Sequence, residues 1–329
     1  MDRRAFVLSV PALLASRAYA QPKPELRLGS AVGPAFALGK AAERWAALLN
    51  ERSTGAFEVR HHPGGTLHGR DPLREFGALR DGGADLAVGS ALAWSSQLPA
   101  FGVYGLPWIA PESGDQDRLV NAPAVRALLD GAAAKAGVVV IAVAPLGERV
   151  VATFNDPVTS AGDLAGLRIR TITVPLIVET LSTLGARPEA MALAEAQAAF
   201  ASRALGGQEG APSTLAAARI GAWGLRTVTR WGAFADAMIF AMREPLWRQW
   251  NDAQQSAARD AAAEAARAAG AIAREEAALA ELGKQGITVV RPTPAQREAL
   301  RVSAEPVWSK WSAPIGPDLV AAAQAAVKP

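Results

Sequence analysis

The sequence predicts an α/β protein of two domains. Short apolar segments begin about 30 residues apart with helix-patterned stretches between them, the spacing of βαβ units in a parallel sheet. The length of 329 residues suits one large or two medium domains. A proline-free stretch from Leu246 to Leu282, read as one helix, would run about 55 Å and lie across two domains.

The elements follow in order. Glu25–Leu28 reads as a strand, and a helical pattern runs from about Phe36 to Asn50. Phe57–Arg60 is the next strand, and Asp71-Pro72 opens a helix to Arg80 with proline at its first position. Ala84–Val88 is the third strand. Val138–Val143 is almost uniformly apolar, as expected when both faces of a sheet are covered. Asn155–Gly166 is turn-rich, and Leu167–Thr171, Ala237–Met242 and Ile287–Val290 are further strands. Between Leu246 and Leu282, apolar residues keep a three-or-four spacing or a multiple of it. Gly270 is the one glycine there, and a pair of helices broken at Gly270 is the alternative to a single helix.

Composition narrows the function. Half the residues are hydrophobic and a fifth are charged, which predicts a folded chain. The 34 basic side chains are scattered among 31 acidic ones, so no basic patch suggests a nucleic-acid partner. Cysteine is absent, which removes disulfides, thiolate metal sites and cysteine nucleophiles.

The N-terminus reads as an export signal. Arg3-Arg4 precedes an apolar run, and Ala18-Tyr19-Ala20 offers a small-x-small cleavage site before Gln21. The paired arginines fit either an ordinary secretory signal or a twin-arginine one. Cleavage would take the formal charge from +3 to +1 by removing Arg3, Arg4, Arg17 and Asp2. No later segment has the apolar length of a membrane span, so a soluble exported protein is expected.

Enzyme signatures are missing. All three histidines, His61, His62 and His68, fall around the turn Pro63-Gly64-Gly65, which offers no helix to space a metal-binding pair. No nucleophile elbow, phosphate loop or dinucleotide fingerprint occurs. No cofactor or metal is therefore expected. Arg170 stands out instead. It ends the segment Leu167-Arg168-Ile169-Arg170, and ligands of open α/β sheets bind beyond the carboxyl ends of strands. A guanidinium there presents a fork matched to a carboxylate. An ordinary ion-paired arginine is the alternative.

The stretch from Gly147 to Pro212 resembles the DctP-type solute-binding proteins of tripartite ATP-independent periplasmic (TRAP) transporters. The residues are Gly147-Glu148-Arg149, then Asp163-Leu164-Ala165-Gly166-Leu167-Arg168-Ile169-Arg170. Leu184-Gly185-Ala186-Arg187-Pro188 with Met191 follows, then Glu195, then Gly207-Gln208-Glu209-Gly210 before Pro212. In the N-terminal half, Pro63-Gly64-Gly65-Thr66-Leu67, Gly82-Gly83-Ala84-Asp85 and Leu106-Pro107-Trp108 match further motifs. The resemblance covers essentially the whole mature chain.

The resemblance implies an extracytoplasmic receptor with two α/β domains, a hinge and a long helix spanning both. It implies an organic-acid ligand and a membrane permease as partner; a receptor kinase is the alternative partner, and a periplasmic enzyme a remoter reading. The implied limits are residues 1–20 for the signal, 21–146 plus about 236–262 for one domain, and 147–235 plus about 263–329 for the other. Arg170 matches the family's carboxylate anchor and Arg149 a secondary one. Trp94, Ser90, Gln208, Glu209 and Trp231 are further expected cleft residues, with Trp108 and Phe36 as aromatic candidates. Two departures stand out. The family's Asp-Gly-Gln-Glu-Asn is Gly207-Gln208-Glu209-Gly210 here, with Gly207 and Gly210 marking the loss of the Asp and the Asn, so the ligand's acid group is held differently or the ligand is larger.

Overall fold

In the computed structural model, residues 23–191 and 193–328 are described. The expected signal peptide lies outside them. Among the described residues no helix is long and apolar enough to cross a membrane.

One sheet organises the chain. Its strands are β1 (Glu25–Gly29), β2 (Glu58–His62), β3 (Leu86–Ser90), β4 (Val138–Thr153), β5 (Arg168–Thr171), β6 (Arg187–Ala190), β7 (Gly207–Gly210), β8 (Thr227–Arg243) and β9 (Thr288–Val290). The order is β2-β1-β3-β8-β4-β7-β5-β6, with β9 beside β8. The βαβ spacing holds at each end: β1 pairs in parallel with β2 and β3, and β5 with β6 and β7. The middle is antiparallel, so the sheet is mixed where sequence spacing predicts a parallel one.

Two long strands cause this. β4 and β8 have 16 and 17 residues, where apolar runs predict about six, and they pair with each other through most of their length. Polar and glycine residues at Gly147-Glu148-Arg149 hide the continuation of β4 in the sequence. Three register shifts interrupt the pair, one of them between Pro145 and Gly147. Opposite Gly147 stands Asp236.

The core divides along β4. Ile141 joins a cluster with Trp45, Phe240 and the alanines of the helix Asp252–Ala269. Val150 and Ala152 join a second, with Phe200, Leu215 and Leu282. Val140 and Val151 belong to a third cluster, which runs along both ends of the sheet. Alternation of side chains across a strand produces this division.

The predicted long helix is two helices, Asp252–Ala269 and Ala271–Lys284. Asn251 starts the first: its side chain accepts from Gln254 N at 2.9 Å while Gln254 Oε1 accepts from Asn251 N at 3.0 Å. Gly270 ends it in the left-handed region at φ 56°, a conformation that favours glycine. Arg274 Nε caps the Ala269 carbonyl at 2.8 Å. The first helix lies on the helix Ala37–Arg52, and the second carries Ala278, Leu279 and Leu282 into the cluster of Phe200.

Gly147 is conformationally demanding. Its φ is +121°, and a Cβ there would lie 1.8 Å from Glu275 Oε2. Gly147→Ala is expected to destabilise the fold by about 2 kcal/mol from backbone strain alone, and by more because the Glu275 carboxylate must also move. Urea unfolding of the variant checks this; an unchanged midpoint would rule out a strained crossover.

Candidate functional site

A cleft of about 1210 Å³ opens beside the middle of the sheet. This is above the usual range of ligand cavities, roughly 300–1,000 Å³. Its walls come from the start of the helix Ala37–Arg52, the segment Arg70–Glu75, the ends of β3 and β5, the helix Pro212–Ala217 and the helix Ala271–Lys284.

Arg170 lines the cleft from the penultimate position of β5, between β6 and β7. It is only 5% exposed. Nε and Nη2 both donate to the Met191 carbonyl, at 3.0 and 2.7 Å. That grip orients the guanidinium without neutralising it, since among the described residues no carboxylate bonds to it directly. Burial lowers its pKa from the ordinary arginine value; Glu209 works against that shift and Arg149 with it.

Arg149 also borders the cleft but is already paired. Its guanidinium grips Glu209 through Nε and through Nη2 at 3.0 Å, and Thr171 Oγ1 donates to the same carboxylate at 2.7 Å. Burial disfavours the charge on Arg149, but Glu209 outweighs it and holds the pKa above the ordinary value. Glu209 itself is fully buried behind the cleft wall.

Ser90 sits on the wall at the end of β3. Its hydroxyl donates to Asp236 Oδ2 at 2.5 Å and accepts from Ala93 N at 3.1 Å. Asp236 accepts two backbone bonds besides, from Leu92 N at 3.1 Å and Ala237 N at 2.8 Å. Burial raises the Asp236 pKa against those bonds and against Arg149.

The other expected residues stand one layer back. Trp94 is fully buried and donates through Nε1 to Glu75 Oε2 at 2.9 Å. Trp231, also fully buried, donates to the Arg149 carbonyl at 3.1 Å and packs edge-on against Trp108 and Phe234. Gln208 lies opposite Arg170 in the register with its Oε1 unpartnered, but behind the lining. These side chains stand behind the wall and do not line it: Trp231 and Gln208 lie on strands, and Trp94 ends the short helix Ala91–Trp94. Of the aromatic candidates, Phe36 alone lines the cleft.

The glycine departures have a packing cause. A Cβ at Gly206 would come within 2.4 Å of Leu167 Cδ1, and one at Gly210 within 3.3 Å of Leu215. A side chain at Gly206 would displace Leu167, and one at Gly210 would press on Leu215.

A cluster of acids escaped the sequence reading. Glu148, Asp236, Glu275 and Glu75 all border the cleft. Glu148 pairs with Arg230, and burial raises its pKa nonetheless. Glu275 Oε2 accepts from Glu148 N at 2.7 Å. Burial, with Glu148 adding repulsion, pushes the Glu275 carboxyl up to about 8. The folded state then holds a proton that the unfolded chain releases above about 4.5. Stability from this group is complete below that pH and falls as pH rises toward 8. Glu275→Gln is expected to flatten the decline in Tm between about pH 4.5 and 8, as thermal melts across that window would show. Equal declines in both proteins would refute it.

None of the three histidines borders the cleft. His61 bonds Ser30 Oγ at 2.7 Å, and His68 faces Glu75 at 3.5 Å. Among the described residues no group of three or more metal-ligating side chains is placed to hold an ion.

The sequence profile of bacterial extracellular solute-binding protein family 7, the DctP family, matches residues 28–313. The chain belongs to that family. A TRAP periplasmic solute-binding protein from Ralstonia eutropha H16, solved with (S)-2-acetolactate, is 35% identical, with a TM-score of 0.84 over 93% of this chain and 99% of that one. One from Ochrobactrum anthropi is 26% identical, with a TM-score of 0.85 over 93% and 95%. The C4-dicarboxylate-binding periplasmic protein DctP of Rhodobacter capsulatus is 26% identical over 98% of this chain and 94% of that protein. As a member of the DctP family, the protein has the mixed α/β architecture of TRAP periplasmic binding proteins.

Proposed function

We propose that the protein is the extracytoplasmic receptor of a TRAP transporter and binds an organic acid in this cleft, with the carboxylate docked on Arg170. The observation that carries the assignment of the anchor is a buried guanidinium at a strand end, held in place by a carbonyl and free of any carboxylate. Such a fork contributes on the order of 1.5–3 kcal/mol net. Micromolar to nanomolar affinity needs roughly 8–12 kcal/mol, so apolar burial must supply the rest. Arg149 serves as a positioning residue: its pair with Glu209 ties β4 to β7, the strand that pairs with β5 beside Arg170. The acetolactate held by the Ralstonia protein supports a carboxylate ligand.

We assign the domains as residues 21–146 with the second part of β8, and residues 147–235 with the C-terminal elements. The limits near Gly147 and Asp236 are supported by the register shift beside Gly147, with Asp236 opposite it, and the break between the two helices at Gly270 supports a helical limit there in place of about 262/263. The protein acts as a receptor and not as an enzyme, reaches the periplasm by a Sec or twin-arginine signal, and hands its ligand to the membrane permease. A thermal-shift panel of carboxylic acids on the purified mature chain tests the reading. An acid present at about 100 times its Kd should stabilise by about 2.7 kcal/mol. No shift with any acid would overturn it.

A further inference from the structure

We propose that the ligand carries a single carboxylate on a mainly apolar body, an aryl or branched aliphatic acid, in place of a dicarboxylate or a polyhydroxylated sugar acid. This rests on the carboxylate-receptor reading and narrows it.

Charge argues first. Of the two buried guanidiniums on the wall, Arg149 is spent on Glu209, which leaves Arg170 for one carboxylate. The rest of the buried charged lining is acidic: Glu75, Glu148, Asp236 and Glu275. A second ligand carboxylate would be desolvated beside those groups with no cation to offset it. Arg70, Arg219 and Arg274 also border the cleft but are exposed, where solvent screens them. Arg274 is further engaged with the carbonyls of Ala269 and Ala35.

Polarity argues next. Ser90 already donates to Asp236, and Gln285 to the Ala216 carbonyl at 3.1 Å. Among the described residues Thr173, Ser213 and Thr214 are the other uncharged polar side chains on the wall, and Gln285 Oε1 remains as one more acceptor. Two carboxylate oxygens, Glu148 Oε2 and Glu75 Oε1, have no hydrogen-bond partner. They have room for one or two donors and not for the row of hydroxyls on a sugar acid, each of which must be partnered when buried. Against this stands a broad apolar surface from Phe36, Leu38, Leu73, Leu146, Ile172 and Leu193, filled in by alanines. Such walls gain from each methylene or ring face they cover.

Isothermal titration of the purified mature chain with 3-phenylpropanoate, 4-methylpentanoate, succinate and D-galacturonate decides the matter. One of the apolar monocarboxylates should bind at least about tenfold more tightly than succinate and galacturonate, with the negative heat-capacity change of apolar burial. Phe36→Ala should weaken that acid several-fold while the unliganded Tm holds, since Phe36 is a partly exposed residue ahead of its helix. Tighter binding of succinate or galacturonate overturns the narrowing and leaves the receptor reading standing. Binding of none of the four up to millimolar concentration overturns both.

Discussion

Arg170→Ala is expected to weaken a carboxylate ligand by roughly 10- to 150-fold, the loss of one charge-assisted fork in a desolvated wall. The ligand-induced thermal shift should shrink accordingly, while circular dichroism stays native. The fold tolerates the change because Arg170 carries no partner charge that would be stranded; its contacts are to the Met191 carbonyl. Arg170→Lys separates charge from shape. A lysine keeps the cation but cannot hold Met191 and present a planar fork at once, so it too should bind weakly. Full affinity in the lysine variant would reduce the anchor to a point charge. Full affinity in the alanine variant would remove Arg170 from the site.

The largest effect on stability is expected at Glu209. Glu209→Gln leaves the Arg149 guanidinium buried without its counter-charge and should cost about 3–5 kcal/mol. Thermal unfolding should fall on the order of 10 °C, from the usual 2–4 °C per kcal/mol in proteins of this size class. The double variant Arg149→Met, Glu209→Met should recover much of that loss, since an apolar pair of similar volume removes both desolvation penalties. A single variant as stable as the parent would show that water reaches the pair. The double variant should also bind more weakly than its stability alone explains, because Arg170 and Thr171 are adjacent on β5 and Thr171 donates to Glu209.

How much was legible beforehand depended on range. β1, β2, β3 and β5 follow from local apolar runs within a residue or two at most ends. β6 and β7 do not: Arg187-Pro188-Glu189-Ala190 and Gly207-Gln208-Glu209-Gly210 contain no apolar run, and β7 is buried through hydrogen bonds and ion pairing instead. β4 and β8 were seen at less than half their length, because the bulged centre carries glycine and charge. Arg170 was visible because a strand end and an arginine are both local signals. The acids opposite it were not. Glu148 and Glu275 meet across 127 positions, and nothing in either segment announces the other. The tryptophans mislead the other way: large aromatics invite a role at the ligand, but Trp94 and Trp231 are fully buried in the core, each against two other aromatic rings.

The third core cluster has a consequence for affinity. It is continuous from Val140 to Val151 along β4, while Ile141 and Val150 belong to two separate clusters. The molecule thus resembles a book with a glued spine. Widening or narrowing the cleft must shear close-packed side chains such as Val140, Val151 and Trp231, and such packing accommodates a few discrete arrangements better than a continuum. The apparent Kd then equals the intrinsic one divided by the fraction of molecules already in the binding-competent arrangement. Spine residues behind the cleft wall, such as Val140, Val151 and Trp231, set that fraction without ever meeting the ligand, so affinity in this receptor is written partly in packing the solute never sees.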